Sequence, residues 1–140
     1  MTGHFFFAKE FSAGKTKDTP ERLEMEITSG IVHNVSLAFP AGCQYLTNAR
    51  ILRGATSIWP RNQGAFYAYE NYTLEIQDFW PLLDGESELV LEGYNTDDSK
   101  THEIRVAVQV SDPEFYFAEI GLLSRMDALI GQQRQILGVD

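Results

Sequence analysis

The sequence contains few of the side chains that metal centres, disulfide frameworks and nucleophilic catalysis use. Its 140 residues include one cysteine, Cys43, and three histidines, His4, His33 and His102. A single cysteine cannot form an intramolecular disulfide, and the histidines do not follow the spacing of a zinc site or a catalytic triad. No serine lies in the Gly-x-Ser-x-Gly turn of hydrolases. We therefore expect no metal ion, no cofactor and no enzymatic activity.

Long apolar runs and positive charge are also scarce. No apolar stretch approaches the roughly 20 residues of a membrane-spanning helix. The N-terminus has no basic residue followed by a long apolar region, as a secretory signal would. The net charge is −9, and nucleic-acid backbones bind basic surfaces, so the charge disfavours DNA and RNA. The sequence predicts a soluble, acidic protein without a membrane or nucleic-acid partner.

An alternation of apolar and polar residues continues through the chain to Val110. This period of two is typical of β-strands that bury one face, and turn residues separate the alternating runs. The pattern predicts strands over residues 4–11, 22–27, 31–39, 49–53, 57–59, 72–77, 88–94 and 102–110. Residues 65–69 fit either a short strand or a loop that packs its aromatic side chains.

Short strands at this spacing, with no helix between them, predict an all-β fold. We expect an antiparallel β-sandwich or jelly roll of seven to eight strands over residues 1–111. The chain is long enough for one such domain to fold without disulfides or metal. The first strand places Phe5 and Phe7 on one face and Phe6 on the other, so its aromatic start predicts burial on both faces.

The apolar period changes to that of a helix near Asp112 and Pro113. Residues 112–140 are predicted to form a C-terminal amphipathic helix, because its apolar residues recur at intervals of three and four. Gly121 and Gly131 each lower helix stability by about 1 kcal/mol relative to alanine, so the helix needs a partner surface. We expect it to contact another chain through Leu122, Leu123, Met126, Leu129, Ile130 and Ile136.

A group of aromatic residues between Trp59 and Trp80 permits two interpretations. Aromatic side chains fill sandwich cores and oligomer interfaces, which is the simpler interpretation. Exposed rings can instead stack on sugars, and the alternative function is a carbohydrate-binding module. Its predicted ligand platform consists of Trp59, Tyr67, Tyr69 and Trp80.

Three weaker candidates concern carboxylates and Cys43. Glu86, Glu88 and Glu92 offer the carboxylates of a glycosidase, but alternation predicts that they form a solvated row on one strand face. The loop at residues 95–98 has calcium-binding side chains without the spacing of a helical calcium loop. Cys43 has no activating neighbour in sequence, which predicts a packed loop residue.

Four turn-rich segments are Ser29-Gly30-Ile31-Val32, Phe39-Pro40-Ala41-Gly42-Cys43, Ile58-Trp59-Pro60-Arg61-Asn62 and Glu92-Gly93-Tyr94-Asn95-Thr96-Asp97-Asp98. They resemble small β-sandwich proteins encoded by tailed viruses and related elements of bacteria or archaea. The resemblance covers about residues 27–110 and leaves the predicted helix unmatched. It implies a virion structural role, such as a capsid decoration or head-stabilising protein that oligomerises as a trimer or ring, binds other virion proteins, and assembles in the host cytoplasm.

Overall fold

A computed structural model describes residues 3–82 and 88–112, which form eight β-strands. The strands are β1 (Gly3–Phe11), β2 (Glu21–Glu26), β3 (Gly30–Phe39), β4 (Thr47–Arg53), β5 (Thr56–Trp59), β6 (Tyr72–Leu82), β7 (Glu88–Asn95) and β8 (His102–Ser111). No segment within these two ranges is helical. The prediction of an all-β fold is therefore confirmed for the described residues, and the predicted helix lies outside them.

The strands form two four-stranded antiparallel sheets. Sheet 1 has the order β1-β8-β3-β6, and sheet 2 has the order β2-β7-β4-β5. Most connections cross from one sheet to the other, so strands that are consecutive in sequence are rarely paired in the same sheet. The first and last strands pair along their length, from Gly3 opposite Val110 to Phe11 opposite His102.

The buried apolar side chains of both sheets form one cluster, in agreement with the predicted β-sandwich. Alternation explains the cluster, since β8 buries Ile104, Val106, Val108 and Val110 and turns the intervening residues outward. Further residues of the cluster include Phe11, Val35 and Leu37 of sheet 1 and Met25, Ile51 and Leu91 of sheet 2.

The loop between β3 and β4 is held by the carboxylate of Glu70. This carboxylate accepts hydrogen bonds from the backbone N–H groups of Gln44, at 2.7 Å, and Gly42, at 3.0 Å. Both donors stabilise the charged form, which lowers the pKa of Glu70. Gln44 and Tyr45 have φ values of 51° and 62°, so the carboxylate compensates for a left-handed turn built from non-glycine residues.

Two details of the sequence prediction are wrong. Phe6 was expected to be buried, but it lies on the outer face of sheet 1 and is 75% exposed. Strand β6 continues past Gln77 to Leu82, through Pro81. A proline is tolerated there because β6 is the edge strand of sheet 1, and an edge strand has N–H groups without a ladder partner.

Residues 65–69 form a loop that is attached to sheet 2 at one point. Ala49 and Tyr67 exchange two backbone hydrogen bonds, at 2.9 and 2.8 Å, and form an isolated bridge at the edge of β4. Of the two alternatives for this segment, the structure therefore shows the loop that packs its aromatics.

Candidate functional site

The outer face of sheet 1 carries two rows of mostly small side chains across β1, β8 and β3. Directly opposite residues of antiparallel strands point to the same face. One row consists of Phe6, Ala107 and Ser36, and the next consists of Ala8, Arg105 and Ala38. Four of these six side chains are alanine or serine, so the surface is depressed between the larger side chains of Phe6 and Arg105.

This depression is a shallow groove of about 280 Å³, called here the outer groove. Phe6 rises at one side with 75% of its surface exposed. Arg105 stands at the other side, with a side chain that is 77% exposed and an Nε that donates to Glu103 Oε1 at 2.8 Å. The groove is therefore apolar, and its far rim is the exposed Arg105–Glu103 ion pair. Its lining consists of Phe6, Phe7, Ala8, Ser36, Ala38, Arg105, Val106 and Ala107.

The outer face of sheet 2 carries a buried ionic group centred on Glu92. Register places Glu92 of β7 directly between Arg22 of β2 and Arg50 of β4. Arg22 Nε donates to Glu92 Oε2 at 2.5 Å, and Arg50 donates to Oε1 from two nitrogens, at 2.6 and 2.9 Å. Glu92 is only 1% exposed, so it is a buried charge held by two cations.

The aromatic ring of Phe66 packs against Arg50 of this ionic group. The Arg50 guanidinium lies 4.5 Å from the centroid of the Phe66 ring, which is cation–π geometry. Phe66 also meets Tyr94 edge to face, with centroids 5.1 Å apart. Tyr67 ties the loop that carries Phe66 to β4 through backbone hydrogen bonds. The contact between Phe66 and Arg50 is a second attachment of this loop to sheet 2. We call Arg22, Arg50, Phe66, Glu92 and Tyr94 the Glu92 cluster.

The Glu92 cluster corrects the prediction of a solvated carboxylate row. Glu88 is exposed as predicted, whereas Glu92 is buried, and Glu86 lies outside the described residues. Both carboxylate oxygens of Glu92 already accept hydrogen bonds from arginine. Both oxygens are therefore engaged in buried structural contacts and are not open to the sugar and water that glycoside hydrolysis requires.

The predicted aromatic platform does not present a pair of coplanar exposed rings. Trp59 is 3% exposed and donates its indole N–H to Asp78 Oδ2 at 3.0 Å. Trp80 is half-buried, and its ring meets that of Trp59 at 68°. Tyr67 and Tyr69 are also half-buried and pack against the core. For Trp59 an exposed stacking role is wrong, because the ring fills the end of the sandwich.

Asp78 and Arg61 complete this end of the sandwich. Arg61 Nη2 donates to Asp78 Oδ2 at 2.7 Å, and its guanidinium lies 5.7 Å from the Trp80 ring centroid. Burial alone would raise the pKa of Asp78, but the N–H of Phe79, the Trp59 indole and Arg61 together lower it. The carboxylate therefore stays ionised and holds the Trp59 indole in place.

The hairpin loop between β7 and β8 uses its polar side chains internally. Asp97 Oδ1 accepts from the N–H groups of Ser99 and Lys100, at 3.0 and 3.2 Å, and Oδ2 lies 2.9 Å from His102 Nε2. Asn95 donates to the carbonyls of Phe11 and Lys100. In the loop at residues 95–98, which has calcium-binding side chain types, these contacts occupy side-chain oxygens with hydrogen bonds. Asn and Asp side chains make such bonds in ordinary turns.

Acid is expected to weaken this loop through Asp97. Its pKa is lowered from 3.8 to about 2, because the N–H of Ser99 and the His102 side chain stabilise the carboxylate. A depressed carboxyl pKa contributes stability above the unfolded value, and this contribution is lost as the pH falls from about 4 toward 2. We expect the gap in thermal midpoint between the unsubstituted protein and Asp97→Asn to shrink over this range. A constant gap from neutral pH to pH 2 would contradict this role.

Cys43 is buried, as predicted for a packed loop residue. Its thiol donates to the carbonyl of Tyr69 at 2.9 Å, and burial raises its pKa.

In the described part of the chain, no three histidine, cysteine, aspartate or glutamate side chains are placed to hold a metal ion. The same residues contain no helix long and apolar enough to cross a membrane. The predicted interface residues between Leu122 and Ile136 fall outside residues 3–82 and 88–112.

Comparisons with known proteins extend the description of the fold. No protein-family model and no curated protein matches the chain. A solved structure titled "Cyanophage Pam1 capsid asymmetric unit" contains a similar chain, with a TM-score of 0.50 and 14% sequence identity. The match covers 80% of this chain and 85% of the other, so the two chains are of similar length. At this identity the similarity shows a shared fold.

Proposed function

We propose that this chain is a non-enzymatic structural protein of a virion. In this role it is a capsid decoration or head-stabilising component that assembles as a homo-oligomer, a trimer or a ring, and binds neighbouring capsid proteins. It is made and assembled in the host cytoplasm and resides in the virion. The observation that carries the proposal is the fold shared, over most of both chains, with a chain of a phage capsid.

The strand order supports a jelly roll, an architecture that viral capsid proteins use often. A jelly roll has eight strands that form two sheets through two Greek keys. Here the orders β1-β8-β3-β6 and β2-β7-β4-β5 pair the first strand with the last and the second with the seventh. The chain thus folds back on itself as nested pairs, and this pairing supports the jelly-roll proposal.

The described polar groups support a structural role. Glu92, Asp97 and Glu70 each use their carboxylate oxygens to hold a strand or loop in place. The net charge of −9 disfavours the DNA of a virion as a direct partner. These observations favour a function through contacts with other proteins over a function through a bound substrate or nucleic acid.

The C-terminal segment, residues 113–140, is the proposed attachment element. Its large apolar residues recur at helical spacing and require a partner surface. In this proposal residues 1–111 are the β domain, and residues 112–140 reach a neighbouring subunit. The contact is made by Leu122, Leu123, Met126, Leu129, Ile130 and Ile136.

The molar mass of the purified chain in solution tests this proposal. We expect light scattering coupled to size-exclusion chromatography to give a mass of three or more chains at micromolar concentration. A single-chain mass over the whole concentration range, together with no binding to a larger protein shell, would contradict the proposed function.

A charge in the C-terminal apolar stripe is expected to separate the subunits. Leu122→Asp or Leu129→Asp places an unpaired carboxylate in the contact, which costs several kcal/mol of association, on the order of a hundredfold or more in affinity. The β domain should keep its thermal midpoint, since in this proposal the two leucines contact a neighbouring subunit. Gln132→Asp, a substitution off the stripe, is the matched control. Equal masses for the Leu122 variant and this control would exclude the contact.

A further inference from the structure

Strand β1 is an edge strand of sheet 1, and among the described residues only β8 pairs with it. In an antiparallel pair, alternate residues bond the partner strand, and the residues between them direct their N–H and C=O groups to the other side. We propose that this free edge of β1 accepts an extended segment of a different virion protein as a fifth strand of sheet 1. The proposal rests on the virion role proposed above and adds a surface and the kind of partner that it fits.

The free edge of β1 lacks the features with which proteins block strand addition. Such features include proline, charged side chains and very short strands. Residues 3–8 contain no proline, lysine, arginine, aspartate or glutamate, and Lys9 and Glu10 follow only near the end of the strand. The pairing of β1 with β8 runs from Gly3 to Phe11 without a register shift. Residues 3–8 therefore form a regular edge that is open to a further strand.

The other three edge strands of the described sheets each carry a blocking feature. Strand β6 contains Pro81, and its Asp78 carboxylate is ionised and paired with Arg61. Four of the six residues of β2 are charged, and β5 has only four residues. Strand addition is therefore favoured at β1 over these three edges.

The side chains of β1 specify the pattern of the incoming strand. On the core-facing side, Val108 and Val106 of β8 are 0% and 2% exposed, whereas their partners Phe5 and Phe7 are only half-buried against the core. On the outer face Phe6 is 75% exposed. A strand with apolar residues at alternate positions would cover these rings, and its backbone would bond the free edge. The partner is therefore an extended segment of alternating apolar residues.

The proposed trimer or ring favours a different protein over a second copy of this chain. In a ring of three or more copies, neighbours meet head to tail, so β1 would meet another edge of the next copy, and those edges are blocked. Pairing of β1 with itself would close at two copies. The chain's own residues 113–140 have the apolar spacing of a helix, and a helix uses its backbone groups internally.

Binding of a strand-forming peptide tests the proposal. The probe is a synthetic peptide with the sequence of residues 102–111, because β8 carries side chains that already pair with those of β1. We expect saturating peptide to slow hydrogen exchange about tenfold or more at alternate amides of residues 3–8 in the full chain. The same peptide with proline at the positions of Val106 and Ala107 lacks two N–H donors and should leave the exchange unchanged.

A lysine on the edge is expected to block the peptide. Phe6→Lys should weaken peptide binding about tenfold or more, because the substitution removes the apolar contact and adds a charge that strand addition would desolvate. The thermal midpoint should not fall, since Phe6 is exposed. Phe79→Lys is the matched control, because Phe79 is 61% exposed on the blocked edge strand β6.

Three results would overturn the proposal while leaving the oligomeric mass, and so the proposed function, intact. The first is equal peptide affinity of the Phe6 and Phe79 variants, and the second is unchanged exchange at residues 3–8 with millimolar peptide. The third is slow exchange at all amides of residues 3–8 in the chain alone, which would show that this chain or a second copy already occupies the edge. A single-chain mass without binding to a shell would instead overturn the proposed function and, with it, the virion partner.

Discussion

Glu92→Ala is expected to destabilise the domain by about 3 kcal/mol, because it removes the buried carboxylate that accepts hydrogen bonds from both Arg22 and Arg50. The Arg50 side chain is only 18% exposed and lies against Phe66, so it cannot regain full hydration. The Arg22 side chain is 62% exposed and can regain water, so the cost arises mainly at Arg50. Urea unfolding with a linear extrapolation measures the loss.

Glu88→Ala is the matched control, since Glu88 lies on the same strand and is exposed. It stands opposite Glu26 across the β2–β7 pair, so its removal relieves a like-charge contact and should be neutral or slightly stabilising. If Glu92→Ala costs no more than this control, the Glu92 cluster does not hold the loop to sheet 2.

Gly93→Ala is expected to cost roughly 3 kcal/mol through steric overlap in the core. A Cβ at this position would lie 2.3 Å from the carbonyl oxygen of Asn48 and 2.9 Å from the ring of Phe11. The backbone oxygen belongs to the paired strand β4, so relief requires that β4 or β7 shift. Thermal unfolding of the variant measures the effect.

Gly54→Ala provides the comparison for this substitution. Gly54 has a φ of 61° in an exposed turn, and an added Cβ there meets nothing within 4 Å. Its substitution costs only the backbone strain of a left-handed alanine, about 1 kcal/mol. Similar losses of stability in the two variants would mean that β4 and β7 can move apart at Gly93 at little cost in free energy.

The sequence predicted the strands well because alternation records which face of each strand is buried. Ile104, Val106, Val108 and Val110 alternate in the sequence and are buried in the structure. The end of β6 was missed because Trp80-Pro81 has the composition of a turn. Only the strand order, with β6 at an edge, shows why a proline is tolerated there.

The candidate site was less predictable, because it depends on what covers each sheet. Alternation correctly placed Glu92 on an outer face, but Glu92 is buried there between Arg22 and Arg50, which come from strands distant in sequence. Phe6 shows the opposite error. It was expected to be buried because phenylalanine usually is, whereas it lies on an outer face that stays open in the described structure. No local pattern distinguishes a covered outer face from an open one.

The mass of a protein truncated after Asp112 tests most directly whether the C-terminal segment attaches a self-sufficient β domain to its neighbours. The described strands end at Ser111, and the buried apolar cluster of the described residues draws on both sheets. We predict that residues 1–112 melt cooperatively and give a single-chain mass by light scattering, whereas the full chain gives an oligomer. A truncated protein that is unfolded would show that the segment belongs to the core of its own domain, and one that keeps the oligomeric mass would show that attachment lies elsewhere. Either result would contradict this account.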